Sequence, residues 1–97
     1  MKADELQTRI GRVIRYYRER KGFSQEGFAD LIGIHRVYYG AVERGLQNLT
    51  LRRLQGIADG LGMTIWKLFH EAETKSLADF PAPRKPGRPV GTFQRKR

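Results

Sequence analysis

Residues 35–48 read HRVYYGAVERGLQN and carry side chains suited to reading a nucleic-acid duplex. The guanidinium of Arg36 can bridge O6 and N7 of a guanine with two parallel N–H donors. Val37 can meet a thymine methyl group, and Tyr38 can reach a base or a phosphate from the flank. Gly40 and Ala41 are small, which suits close approach of their helix to a groove floor. Base contact is therefore expected at Arg36, Val37, Tyr38 and Ala41. The plainer alternatives are a solvated arginine at 36 and a surface valine at 37. A second group suits the sugar-phosphate backbone. Ser24 and Gln25 open one helical pattern and His35 opens the next, and free N–H groups at a helix start attract phosphate. Arg44, Gln47 and Asn48 follow the second pattern and can grip the backbone, which fixes register without specifying sequence.

Other chemistries lack their residues. The chain has no cysteine, so neither a disulfide framework nor a thiolate zinc site is available. His35 and His70 are far apart and form no HxxxH spacing. No glycine-rich phosphate loop, serine elbow or paired-carboxylate constellation occurs. No metal, no cofactor and no enzymatic activity are expected.

The elements that must position these groups can be read from apolar spacing. Leu6, Ile10, Val13, Ile14 and Tyr17 form one helical stripe, predicting a first helix from Asp4 to Lys21. Arg9, Arg12, Arg15 and Arg20 fall mostly off that stripe. Gly22 is placed to end the helix through a left-handed turn. Ser24 is a good N-cap, with Phe23 and Phe28 spaced as a hydrophobic staple. The second helix then runs from Gln25 to Ile32, with Phe28, Ala29, Leu31 and Ile32 inward. Gly27 stands where a capping-box acid is common, and close approach to a ligand or to the first helix are its two candidate reasons. Gly33 supplies the turn and Ile34 the plug beneath it. The third helix runs from His35 to Arg44, with Tyr39 and Val42 inward and Gly45 as its stop. Thr50 caps a fourth helix with Leu51, Leu54, Ile57, Ala58 and Leu61 on one face. Thr64 caps a fifth, carrying Ile65, Trp66, Leu68 and Phe69. Two short helices joined at Gly33 write a helix-turn-helix, which sets its second helix in a major groove.

The pattern fades after about Ala72. Four prolines and two glycines follow Phe80 in a basic setting, which predicts a disordered tail. The chain thus divides into a helical domain, residues 4–71, and a linker and tail, residues 72–97. The formal net charge is +9 over 97 residues, and its placement is uneven. Arg84, Lys85, Arg88, Arg95, Lys96 and Arg97 lie in residues 81–97, which have no acid, while residues 1–80 are only mildly basic. A basic chain favours polyanions, nucleic acid before anionic membrane. The tail lacks the apolar face of an interfacial helix, and no apolar run reaches membrane-spanning length, so no membrane partner is expected. The polar start has no signal-peptide core, which predicts a cytoplasmic protein, nucleoid-associated when bound to DNA. Gly87-Arg88-Pro89 is similar to the core of an AT-hook, whose arginine enters a narrow minor groove. A nonspecific polycation is the alternative, since Pro86 stands where such a hook has arginine.

Taken together, IGRVIRYYRERKGFSQ, FADLIGIH and VERGLQNLTLRRLQGIADGLGM, followed by WKLF, resemble the Cro/C1-type helix-turn-helix family. The resemblance spans Leu6 to Phe69. ERGLQNLTL is also similar to the controller proteins of restriction-modification systems. The chain departs from the family pattern at Gly27, Tyr39 and Leu49. The resemblance implies an all-α, five-helix, phage-repressor-like bundle that binds operator DNA as a homodimer and regulates transcription. It implies that Gln25 braces the recognition helix and a phosphate, the alternative being an ordinary first-turn residue. It also implies a structural ion pair between Arg18 and Glu43, because an acid beside the groove-facing residues would repel DNA. Ile65, Trp66, Leu68 and Phe69 exceed what the edge of a small bundle can bury, so part of them is expected at the dimer interface. Their burial in the core alone is the alternative. Some family members act instead as antitoxins or adaptors, so a protein partner remains an open reading. A nonspecific architectural nucleic-acid binder, dominated by the tail, is another.

Overall fold

The computed structural model describes residues 1–80. Within them lie five α-helices: α1 (Ala3–Arg20), α2 (Gln25–Ile32), α3 (Arg36–Glu43), α4 (Leu51–Leu61) and α5 (Ile65–Thr74). A 3-10 turn follows at Leu77–Asp79, and no strand occurs among the described residues. None of the helices described is long and apolar enough to cross a membrane. The basic tail residues Arg84, Lys85, Arg88, Arg95, Lys96 and Arg97, with the hook-like segment, lie outside the described residues.

Caps set the helix starts. Ser24 Oγ accepts from Gly27 N at 2.9 Å, Thr50 Oγ1 from Arg53 N at 3.1 Å and Thr64 Oγ1 from Lys67 N at 3.0 Å. Each satisfies one of the free N–H groups that open a helix, worth about 1 kcal/mol. Phe23 and Phe28 close the staple with ring centroids 5.6 Å apart. α2 ends at Gly33, whose φ of 73° is the left-handed conformation that the turn into α3 demands. α3 is shorter than its pattern suggested: His35 caps it and Arg44 ends it.

The core forms where α1 packs across α3, α4 and α5. Val13, Ile14, Phe28, Tyr39, Ile57 and Leu68 are fully buried. Burial of each such side chain stabilises the fold by about 1.5–3 kcal/mol. α1 crosses the end of α3 at Gly11, where an added Cβ would lie 2.5 Å from the Glu43 carbonyl oxygen. Only glycine permits this approach. Ile34 is buried beneath the turn.

Two inward assignments change, and one of the two reasons considered for Gly27 falls away. Leu31 is exposed, because Phe28, Ala29 and Ile32 set the inward direction of α2 and Leu31 points about 100° away from it. Leu51 is exposed, since it begins α4 and overhangs the end of the core that Leu54, Ile57, Ala58 and Leu61 fill. Gly27 does not meet α1: a Cβ there would contact the Ser24 hydroxyl and the Phe23 ring, with no atom of α1 within 4 Å.

The folded unit also runs beyond residue 71. α5 continues to Thr74, and Phe80 is buried against α1, its ring edge-on to Tyr16 at 5.1 Å. Arg9 donates to the carbonyls of Ala72 and Lys75 at the end of α5, and Arg12 to that of Phe80. Arginines off the apolar stripe of α1 thus clasp the carboxyl-terminal segment. Arg15 is nearly buried and pairs with Glu19 at 3.0 Å.

Candidate nucleic-acid interface

α2 and α3 meet so that the start of α2 and one side of α3 form an open cleft. Ser24, Gln25, Glu26, Arg36, Val37, Gly40 and Arg44 line it. The cap at Ser24 orients the start of α2, and Gly33 turns the chain so that α3 lies across it. Arg36 and Val37 project from the first turn of α3, with 62% of the Arg36 side chain and 67% of Val37 exposed. An apolar valine that open, beside a guanidinium, is a surface with no partner inside the fold. Gly40 is covered by the polar ends of Gln25 and Arg44, whose nearest atoms stand 3.5 and 3.4 Å from where its Cβ would be.

The carboxyl-terminal end of α3 is locked. Arg18 Nε donates to Glu43 Oε2 at 2.6 Å and Arg18 Nη2 to Oε1 at 3.1 Å, a bidentate pair buried at both ends. Arg18 Nη1 also donates to the Phe23 carbonyl, and Gln25 Nε2 to Glu43 Oε1 at 2.9 Å. One carboxylate therefore ties α1, the start of α2 and α3 together, and it is turned away from solvent. The Tyr39 hydroxyl is buried beside this pair without a hydrogen bond, and burial pushes its pKa well above the usual phenol range. Its orphaned donor is a local cost that the ring's packing against Phe28, with centroids 5.5 Å apart, helps to offset.

The remaining candidates divide. His35 is exposed, and its Nδ1 accepts from Val37 N at 3.2 Å, which caps α3. Tyr38 is half-buried; its hydroxyl donates to the Asn48 carbonyl at 3.4 Å. The Arg53 guanidinium lies over its ring, 4.7 Å from the centroid. Gln47 and Asn48 are tied to α1 through Gln7 Nε2, which donates to the Gln47 carbonyl and to Asn48 Oδ1. Ala41 is a correction: it is 8% exposed, and its carbonyl accepts from Leu46 N at 2.9 Å, so it offers almost no surface for a base. Leu68 is the second, being wholly buried in the core rather than at an outer face. Its neighbours differ: Ile65 and Phe69 are half-buried and Trp66 is 70% exposed, stacked on His70 at 4.8 Å.

Two residues of this interface escape sequence reasoning. Glu26 accepts a hydrogen bond from Arg36 Nη1 across the cleft, with both side chains largely exposed. Its only sequence signal is an acid in the first turn of α2, which the helix dipole explains by itself. Arg53 is the other, since its stack on Tyr38 spans two helices and leaves no local pattern.

A helix-turn-helix family model matches residues 14–65, more than half of the chain. The control protein C.MunI of Mycoplasma sp is 37% identical over 71 residues, covering 72% of this chain and 96% of its own. Among solved structures, the restriction-modification controller protein C.AhdI from Aeromonas hydrophila superposes with a TM-score of 0.62 at 37% identity. It covers 64% of this chain and 94% of its own. The controller protein C.Esp1396I, solved as a tetramer in complex with its natural 35 base-pair operator, gives a TM-score of 0.62 at 31% identity. There the coverage is 69% of this chain and 88% of its own. The buried anchor at Glu43, the open cleft along α3 and these likenesses place the chain in the Cro/C1-type helix-turn-helix family of DNA-binding transcription regulators.

Proposed function

We propose that this protein binds a roughly palindromic operator as a homodimer and reads it with α3 in the major groove. The observation that carries this reading is the contrast between a buried anchor and an open cleft on α3. Glu43 fastens the end of the helix in a buried ion pair, while Arg36, Val37 and Arg44 stand in an uncovered cleft. Arg36 is the principal base reader, and Val37 supplies apolar contact to a thymine methyl. Ser24, Gln25, His35 and Arg44 grip phosphate on the α2 side. Tyr38, Gln47, Asn48 and Arg53 do so on the α4 side. The operator complex of C.Esp1396I supports DNA binding by an oligomer. The exposed Trp66, the half-buried Ile65 and Phe69 and the overhanging Leu51 supply an apolar face for a second copy. The basic residues of the tail add affinity without setting the sequence read.

Selection of bound duplexes from a random DNA pool tests this reading. The expected product is an inverted repeat whose half-sites lie about one helical turn apart, roughly 34 Å. A pool that retains affinity but enriches no motif contradicts it and favours nonspecific binding through charge.

A further inference from the structure

Glu26 is an acid on a face proposed to meet a polyanion, where the dipole of α2 favours a carboxylate without requiring one. Its helix start is already capped by Ser24. Its single polar partner among the hydrogen bonds described is Arg36. The pair joins α2 to α3 across the cleft, and both side chains are about 60% exposed. An exposed ion pair adds little to stability, so its value has to be sought in what it does to Arg36.

The geometry points to Glu26 as a positioning residue that presents Arg36 for base readout; this rests on the function proposed above. Glu26 engages one terminal nitrogen, Nη1. Nε and Nη2 remain as two parallel donors on one edge of the guanidinium, the fork that matches guanine O6 and N7. Holding the long side chain by its far nitrogen fixes the plane of that fork before DNA arrives. Binding then loses less side-chain freedom, which otherwise weakens association. The carboxylate also offsets the charge of Arg36, so attraction to any nearby phosphate falls while directional hydrogen bonding to one base remains. Both effects favour operator over other DNA. A carboxylate that merely competed with DNA for Arg36 would not: it would weaken operator and other duplexes alike.

The test compares Glu26→Ala and Glu26→Gln with the unaltered protein, on a selected operator and on a scrambled duplex of equal length. Bracing predicts that Glu26→Ala lowers the operator-to-scrambled affinity ratio about twofold to tenfold per half-site, the range of one immobilised side chain. Glu26→Gln, whose amide oxygen can still accept from Arg36, falls between. In an Arg36→Ala background the same substitutions leave the ratio unchanged. Equal gains on both duplexes from the alanine and glutamine variants would overturn bracing, because Glu26 would then act only by repelling phosphate. So would an effect that persists without Arg36. If Arg36→Ala alone leaves the ratio intact, the proposed readout itself fails, a result distinct from either. Thermal melts of the variants should match that of the parent, since the exposed pair carries little of the fold.

Discussion

At the scale of single residues, two groups of ionisable side chains have opposite duties. Arg18 and Glu43 are buried and serve the fold, whereas Arg36 and Glu26 are exposed and face the cleft. Glu43→Ala removes the bidentate carboxylate from the buried Arg18 guanidinium, and removing one member of a buried pair costs about 3–5 kcal/mol. Denaturant melts should show that loss, and a loss below about 1 kcal/mol would contradict the anchoring role. Tyr17 gives a pH dependence. Its hydroxyl donates to Glu71 Oε1 at 2.7 Å, and burial, then this hydrogen bond, push its pKa up to about 12. The folded value lies above the unfolded value of about 10. The stabilisation is therefore complete below about pH 10 and is lost as pH rises through about 12. The melting temperature should fall more steeply over that window for the parent than for Tyr17→Phe; parallel curves would contradict the link. Neither ion pair is legible from local sequence. Their partners are separated by 25 and 10 residues, so no helical spacing joins them, and the family resemblance supplies only the buried one.

At the scale of elements, glycines separate packing from propensity. Gly11 lies where α1 crosses the end of α3, and a Cβ would strike the Val42 and Glu43 carbonyl oxygens at 2.6 and 2.5 Å. Gly11→Ala should destabilise by about 1–3 kcal/mol, overpacking outweighing the better helix propensity of alanine. Gly56 lies within α4 with nothing within 4 Å of an added Cβ. Gly56→Ala should stabilise by about 0.5–1 kcal/mol through propensity alone. Thermal melts of the two variants should move in opposite directions, and a shared direction would contradict the packing at Gly11. Helix positions and caps are largely legible in the sequence, because Ser24, Thr50, Thr64 and Gly33 act through contacts within a few residues. Faces are legible where apolar residues recur over two turns, as at Leu54, Ile57, Ala58 and Leu61. Short helices are harder: Leu31 and Leu51 are apolar and near the right phase, yet the bundle is too small to cover them. Ala41 misleads for the converse reason, since spacing alone leaves open a flank that is buried in the fold.

At the scale of the whole molecule, the positive charge is divided among four groups. Arg9 and Arg12 fasten the segment after α5, and Arg18 anchors α3. Arg36 and Arg44 remain in the cleft, and the six basic residues of 81–97 form a further group. Composition makes no distinction among these duties, so the total charge overstates what the helical body presents to DNA. Phe80 falls outside the domain that periodicity predicts because a single aromatic has no period, yet it closes the core against Tyr16. Phe80→Ala should cost about 3 kcal/mol in denaturant melts, and a cost near zero would contradict its place in the core. Deletion of residues 81–97 should lower affinity with sequence preference kept. The log–log salt slope should flatten by about 0.9 for each phosphate that the tail no longer neutralises. Whether α3 reads sequence through Arg36 is decided by titrating operator and scrambled DNA with the parent and Arg36→Ala at two salt concentrations. The operator-to-scrambled ratio should fall by roughly tenfold or more per half-site at both salt concentrations, the worth of one bidentate contact. Equal weakening on both duplexes, with the ratio intact, would contradict this readout and leave Arg36 as a phosphate contact.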